Sequence, residues 1–331
     1  MILQQRFNKI LLSLVVSFSL SATAYLQSKV QSFLTPADSF NSKRAWLAGS
    51  FGAATYTGFS FGLYNAWYKK SKLTTFHFFN DFGEWNHLDK VAHSYNSYIQ
   101  ASNSFDGARW CGYSEKNALV WAGTISFLFQ TTLEFMDGLS PDYGFSWADM
   151  SFNLLGSGMF AGQQLLWHDQ KLKLKISAFP KSYPTQQIIG DLGTQISIKD
   201  RVKDLYGENY FSQFLKDYNA QTFWLSFNPR LLYPKLTSKW PLFLNLAIGY
   251  GSDGLYGGFK NEWITNGERF QLHSISRVHQ YYLSLDLDLK KIRTKYNWLN
   301  TALGILNIIK IPAPTIEFNS RGHIKGHWLF F

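Results

Sequence analysis

The chain of 331 residues has a single cysteine, Cys111. A lone thiol cannot form an internal disulfide bond, so disulfide crosslinks do not stabilise this protein. Acidic residues are also few, because 22 Asp and Glu stand against 32 Lys and Arg, which gives a formal net charge of +10. Although the chain is basic, it has no nucleic-acid-binding motif and no extended Lys/Arg block, so we expect no nucleic-acid partner.

The sequence also lacks the patterns that would indicate a cofactor or a reaction. The pattern Gly249-x-Gly251-x-x-Gly254 has the spacing of a dinucleotide fingerprint, but further glycines and an apparent strand follow it instead of a helix. It therefore predicts a wide β-turn. No serine nucleophile motif is present, and Cys111 has no evident partner. We predict no cofactor, and no single motif assigns an enzymatic activity.

The apolar run near the start of the chain is short. Residues 10–20 carry no charge, they follow Arg6 and Lys9, and Ala22-Thr23-Ala24 supplies small residues at the positions that a signal peptidase recognises. A run of eleven residues is too short for a permanent membrane span. This layout predicts a signal peptide at residues 1–24, and the absence of cysteine near its end excludes lipid attachment there. We expect an exported protein of the periplasm or outer membrane.

The charge and the aromatic content of the chain indicate which class of partner it binds after export. Removal of the two basic residues in the signal peptide lowers the net charge from +10 to +8. Aromatic residues make up 18% of the sequence, and such rings favour the interface between lipid and water. A basic exported protein is attracted to anionic lipid head groups and cell-wall polymers. We therefore expect a membrane or an anionic envelope component as partner.

The spacing of apolar residues divides the mature chain into two parts, 25–170 and 171–331. Four stretches of the first part have helical spacing: Ala45–Tyr68, Leu88–Phe105, Ala118–Met136 and Trp147–Trp167. Glycines four residues apart in two of them permit close helix crossings. Ser146 and Asp149 have the spacing of a capping box at the start of the fourth stretch. The first part is thus predicted to be a compact bundle of about four helices.

The second part alternates between apolar and polar residues, as strands with one apolar face do. Six stretches show this pattern to different degrees: 171–178, 221–227, 242–250, 281–290, 315–318 and 324–330. Residues 296–309 have helical spacing. The predicted fold class is α+β, with the helical bundle followed by an antiparallel sheet or a small barrel-like part with one inserted helix. We expect the face that carries Leu283, Leu285 and Leu287 to be the buried one.

Seven polar residues lie on, or directly after, the second, third and fourth helical stretches. They are Asp89, Lys90, His93, Glu134, Asp137, Asp149 and Asn153. Within each stretch their spacings of three and four place them on one helix face. Charges inside an apolar bundle cost free energy unless they find partners, so we expect the three faces to meet.

Three of these elements resemble the motifs of the VanZ-like families. Those families show Asp-Lys-x-x-His, a Glu on an apolar helix, and Asp-x-x-x-Asn followed by glycine. The matching residues here are Asp89-Lys90-Val91-Ala92-His93, Glu134, Asp149-Met150-Ser151-Phe152-Asn153 and Gly156.

The closer resemblance is to the YfiM-like family of predicted periplasmic lipoproteins, whose Gly-x-Ser-Trp-x-Asp element matches Gly144-Phe145-Ser146-Trp147-Ala148-Asp149. Longer members look similar through His77-Phe78-Phe79-Asn80-Asp81, Gly249–Gly254 and Ile311-Pro312-Ala313-Pro314, so the resemblance covers roughly residues 60–331. It implies an envelope protein of a family without a settled activity. The chain departs from the lipoprotein pattern because it lacks the lipid-bearing cysteine.

Two functional hypotheses follow. In the first, the seven residues form buried ion pairs that fix helix register in a structural or interaction protein. In the second, they form an active site for a lipid or cell-wall intermediate, with His93 as general acid or base, Asp89 or Glu134 orienting it, and Lys90 holding an anionic group. A metal site of His93, Glu134 and Asp137 is a weaker variant, because zinc usually takes more His or Cys ligands. We therefore predict no metal.

Overall fold

The computed structural model describes residues 29–69, 72–235 and 237–331. The predicted signal peptide and its cleavage site lie outside the described residues. The fold is α+β, as predicted, with helices followed by an antiparallel sheet that carries extra helices. Within the described ranges, the helices fall short of the length and apolar character needed to cross a membrane.

All four predicted helices are present. They are α1 (Ser42–Leu63), which continues into a π-helical turn at Tyr64–Tyr68, α2 (Leu88–Trp110), α3 (Glu115–Gly138) and α4 (Trp147–Trp167). The central helix is α2, which packs against both α3 and α4. Their shared core contains Tyr98, Phe105, Ala118, Ala122 and Phe160. Burial of this apolar surface is the main force that holds the three helices together.

The second part has ten strands and four helices among the described residues. In chain order they are β1 (Leu172–Ala178), β2 (Gln187–Ile189), β3 (Gln195–Ser197), α5 (Ile198–Tyr206), α6 (Tyr210–Lys216), β4 (Gln221–Phe227), α7 (Pro229–Leu232), β5 (Leu244–Asp253), β6 (Glu262–Thr265), β7 (Glu268–Gln271), β8 (Val278–Leu287), α8 (Asn297–Leu306), β9 (Ala313–Asn319) and β10 (Ile324–Phe330). The predicted inserted helix is α8, whereas α5, α6 and α7 were not predicted. They are short, and α5 owes its place to packing of Ile198 and Val202 against the β6–β7 hairpin.

All six predicted strands form one antiparallel sheet, in the order β1-β4-β5-β8-β9-β10. Lys175 on β1 and Asp286 on β8 are ion-paired at 2.7 Å, although three strand spacings separate their strands. Strands lie ~4.8 Å apart, so a flat sheet would hold these backbones ~14 Å apart. The sheet is therefore strongly curved, with its polar face on the concave side.

The expectation that the Leu face is buried was wrong. Leu285 is 39% exposed, whereas its neighbour Ser284 is 4% exposed. The physical reason is the curvature, which lets the polar side chains of the concave face pair with one another instead of with water. Part of the apolar face is covered by α2, where Leu88 and Tyr95 pack against Phe223 and Ile176.

Candidate functional site

The centre of the polar cluster is the ammonium group of Lys90 on α2. Its Nζ atom lies 2.8 Å from Asp81, 2.8 Å from Asp89 and 2.6 Å from Asp149. The Lys90 side chain is fully buried. An ammonium group has three N–H donors, so each of them has a carboxyl partner here.

A strained turn places the start of α2. Trp85, Asn86 and His87 all have left-handed backbone conformations, with φ of 51°, 54° and 63°. Such conformations cost free energy and persist only where the surroundings hold them. Asn86 is held on both sides, because its Nδ2 donates to Ser252 at 2.8 Å and its Oδ1 accepts from Arg277 at 3.1 Å. The sheet thus fixes where α2 begins and where Asp89 lies.

Sequence reasoning about the helices missed Asp81, which comes from the segment before the turn. That segment runs beside the loop between α3 and α4, since Phe79 N–H donates to Phe145 O and Phe145 N–H donates to His77 O. Ser146, the N-cap of α4, donates to Asp81 Oδ1 at 2.5 Å and accepts from Asp149 N–H at 3.1 Å, as the predicted cap requires. The one sequence signal was the position of Asp81 at the end of the His77–Asp81 element in the family resemblance.

Tyr218 is a second residue that sequence reasoning missed. Its hydroxyl donates to Asp89 Oδ1 at 2.6 Å. It follows α6 in the second part of the chain, and no pattern around it distinguishes it from other aromatic residues. The contact ties the cluster to the insertion between β1 and β4.

His93 lies beside the lysine cluster. Its Nδ1 is 3.1 Å from Asn153 Oδ1 and 3.6 Å from Glu134 Oε1, and its Nε2 is 3.6 Å from Asp149 Oδ1. Asn153 Oδ1 can only accept, so we assign the ring proton to Nδ1. The Nε2 lone pair then faces Asp89 and Asp149.

The structure brings six of the seven predicted residues together, and Asp137 is set apart. Asp137 Oδ1 accepts from the Tyr68 hydroxyl at 2.6 Å, at the end of the π-helical turn that follows α1. Burial raises the pKa of Asp137 to about 7, in spite of that hydrogen bond. It is a neighbour of the cluster rather than one of its contacting members.

Burial and charge crowding separate the pKa values of the carboxyl groups. For Glu134, burial first and the charge of Asp137 second raise the pKa to about 9. Burial and then the charge of Asp89 raise the pKa of Asp149 well above its usual range. Burial would also raise the pKa of Asp89, but the charges of His93 and Lys90 outweigh it and the pKa is lowered. In a dry site one ammonium cannot balance every carboxyl group, so some of them keep their protons.

The two basic groups have opposite shifts. Burial would lower the pKa of Lys90, but Asp89 and Asp149 outweigh it and raise that pKa. For His93, burial dominates and lowers the pKa. At neutral pH the cluster therefore holds a charged lysine, an ionised Asp89, a neutral imidazole, and protonated Glu134 and Asp149.

One group among the described residues has a metal-like arrangement, with donor atoms of Asp89, His93 and Asp149 within 4.8 Å of one another. It differs from the weaker variant considered from sequence, which used Glu134 and Asp137. The ammonium of Lys90 already contacts both aspartates of this group. A divalent cation held by the same oxygens would lie against that charge, so the arrangement fits the lysine better than a metal ion.

Comparison with known proteins agrees with the sequence in part. No curated protein and no solved structure matches the chain. Residues 77–163 match the sequence model of a family described as "Predicted periplasmic lipoprotein (DUF2279)". The match covers α2, α3 and most of α4, with all seven predicted site residues, and it ends before the sheet. It supports an exported protein of the periplasm.

Proposed function

We propose that this protein is a structural or interaction component of the bacterial cell envelope, and that the polar cluster fixes the register of α2, α3 and α4. The observation that carries the proposal is that every hydrogen-bond donor of the Lys90 ammonium group already has a partner. All three of its N–H donors point to carboxyl groups, and its side chain is fully buried. A lysine in this state has no donor left for an anionic substrate group.

The finer family relationship belongs to the same proposal. We infer that the helical part is related to the YfiM-like and VanZ-like families. The support is that residues of the three matching motifs contact one another in the structure. They are Lys90 and His93 from the first motif, Glu134 from the second, and Asp149 and Asn153 from the third. A polar network that joins three helices would explain why the three motifs occur together in one chain.

A complementation experiment tests this function. A strain that lacks the protein would be complemented with the unchanged chain, with His93→Gln or with Lys90→Met, and sensitivity to detergents that the envelope normally excludes would be measured. A structural role predicts that His93→Gln complements, because glutamine keeps a polar side chain beside Asn153. It also predicts that Lys90→Met fails and that its protein level falls. Loss of function with normal levels of folded His93→Gln protein would contradict it.

The second candidate is an envelope enzyme with His93 as general acid or base. A specific observation favours it, because Glu134 Oε1 and Asn153 Nδ2 are buried beside His93 without a hydrogen-bond partner among the described residues. The imidazole itself keeps 12% of its surface exposed. Glu134→Gln keeps the shape of the side chain and removes its proton-transfer chemistry. A folded Glu134→Gln protein that fails to complement would favour the enzyme.

A further inference from the structure

The convex face of the six-stranded sheet is a continuous apolar surface. Ile248 on β5 pairs with Leu283 on β8, which pairs with Ile316 on β9. The three side chains are 51%, 45% and 45% exposed. The neighbouring row on the same face adds exposed Tyr281, Phe318 and Ile324. Contiguous apolar surface of this kind marks an interaction site.

The other face of the sheet carries polar side chains that pair with one another. Lys175 and Asp286 are both fully buried there, and Ser226 donates to the same Asp286 carboxylate at 2.6 Å. An ordinary antiparallel sheet buries its apolar face and exposes its polar face to water. This sheet does the reverse, so its exposed side is the one that requires an apolar partner.

The outer helix faces have the same character. On α4, Leu154, Leu155, Leu165 and Leu166 are each at least 60% exposed. On α3, Phe127 is 62% exposed. Exposed apolar side chains therefore extend over both parts of the chain.

Basic residues gather at one end of the sheet. The segments 228–243 and 290–299 follow the ends of β4 and β8, which lie at the same end as the start of β1. Together these segments contain seven Lys and Arg and no Asp or Glu, and they include Trp240 and Trp298. Two of the seven, Lys290 and Lys291, pair with Asp106 and Asp169 at 2.8 Å and 2.7 Å, so the excess positive charge of this end comes from the other five. Tryptophan and long basic side chains favour the head-group region of a membrane.

We propose that the convex face around Ile248, Leu283 and Ile316 docks against the hydrocarbon of a bilayer that contains anionic lipid, with the basic end of the sheet at the head groups. Charge complementarity favours lipid over a second copy of the chain, because anionic head groups attract the basic end, whereas a second copy carries the same net positive charge. The proposal goes beyond the structural role of the polar cluster and does not depend on it.

Vesicle binding of the purified full chain tests the proposal. The probe is vesicles of phosphatidylcholine with phosphatidylglycerol, compared with phosphatidylcholine alone, in a flotation assay. We expect the triple change Ile248→Ser, Leu283→Ser and Ile316→Ser to weaken binding about tenfold or more, because it removes exposed apolar area. The matched control is Ile264→Ser on β6, a side chain that is 73% exposed but belongs to the separate β6–β7 hairpin. Unchanged binding by a folded triple variant would overturn the proposal.

A single-site measurement covers the case in which the triple variant does not fold. A polarity-sensitive fluorophore on Leu283→Cys should move to an apolar environment when anionic vesicles are added, and a lipid-soluble quencher should reach it. The same label on Ile264→Cys should stay in water. Burial of the Leu283 label without lipid, together with a dimeric mass by light scattering, would show that a second copy covers this face and would overturn the lipid assignment.

Discussion

Lys90 on α2 donates a hydrogen bond to Asp149 on α4, with Nζ and Oδ1 2.6 Å apart and the lysine side chain fully buried. The same ammonium holds Asp81 from the preceding segment. One side chain thus joins two helices and a loop. Removal of this cation would leave three carboxyl groups close together with no positive charge to stabilise them.

Replacing the cation should therefore destabilise the fold. We expect Lys90→Met to lower the free energy of unfolding by about 3–5 kcal/mol, the usual cost of removing one partner from a buried ionic network. Urea unfolding followed by circular dichroism would measure it. Lys116→Met on α3 is the control, because Lys116 is exposed and the change should stay within about 0.5 kcal/mol. Equal stability of the two variants would show that the network does not hold the bundle.

Glu134 should make stability fall as pH rises. Its pKa is about 9 in the folded protein against 4.5 for the ordinary group, so between these values the folded chain keeps a proton that the unfolded chain releases. The contribution of Glu134 to the free energy of unfolding is complete below about pH 4.5. It falls by about 1.4 kcal/mol per pH unit as the pH rises and is lost by about pH 9. Glu134→Gln should remove this contribution.

The measurement is urea unfolding of both proteins across that pH range, and the quantity compared is the difference in slope. Asp137 and Asp149 have pKa values that are raised as well, so the variant keeps some decline of its own. Glu115→Gln is the control, since the lowered pKa of Glu115 cannot produce a loss of stability above neutral pH. If Glu134→Gln declined as steeply as the unchanged chain, Glu134 would be ionised in the fold.

The sequence predicts the helices and most of the cluster because both depend on local spacing. Residues three or four apart share a helix face, and apolar surroundings force the polar faces of Lys90, Glu134 and Asp149 toward each other. The spacing of residues does not predict Asp81 and Tyr218 as members of the cluster. They lie outside the predicted helices, and only tertiary contacts bring them to Lys90 and Asp89.

The strands are also predictable, but the direction of their faces is not. Alternation shows that Ser284 and Leu285 point to opposite sides of the sheet. It does not show which of the two sides is buried. The usual assumption sends leucine inward. Here the sheet curves until Lys175 reaches Asp286, and the polar face becomes the interior. That outcome depends on pairing between strands far apart in sequence, which no local pattern contains.

Two glycines of α4 should respond differently to alanine. A Cβ on Gly156 would lie 2.0 Å from the backbone oxygen of Ser94, so the crossing of α2 and α4 would have to open. A Cβ on Gly158 would meet no atom within 4 Å. We expect Gly156→Ala to destabilise by about 2 kcal/mol or more, as overpacking does, and Gly158→Ala to stabilise by up to about 1 kcal/mol through helix propensity. Thermal unfolding of both variants would check the pair, and a neutral Gly156→Ala would mean that the helices are farther apart.

Aspartate placed at two adjacent positions of β8 should test which face of the sheet is interior. Ser284 is 4% exposed, and its hydroxyl accepts from Thr315 at 2.7 Å and donates to Pro314 O at 3.1 Å. Ser284→Asp would put another carboxylate on the face that already holds Asp286 and would break these hydrogen bonds. Leu285 is 39% exposed, so an aspartate there keeps water around its charge.

The expected result is a loss of about 3 kcal/mol or more for Ser284→Asp and about 1 kcal/mol for Leu285→Asp, because an unpaired charge is costly only where water is excluded. Urea unfolding without lipid is the measurement, since lipid would cover the leucine face and raise the cost there. Both variants add one negative charge to the same strand, so differences in net charge cancel and the comparison reports the surroundings of the two positions. A larger loss for Leu285→Asp would place the interior on the leucine face, and it would remove the apolar surface on which the membrane proposal rests.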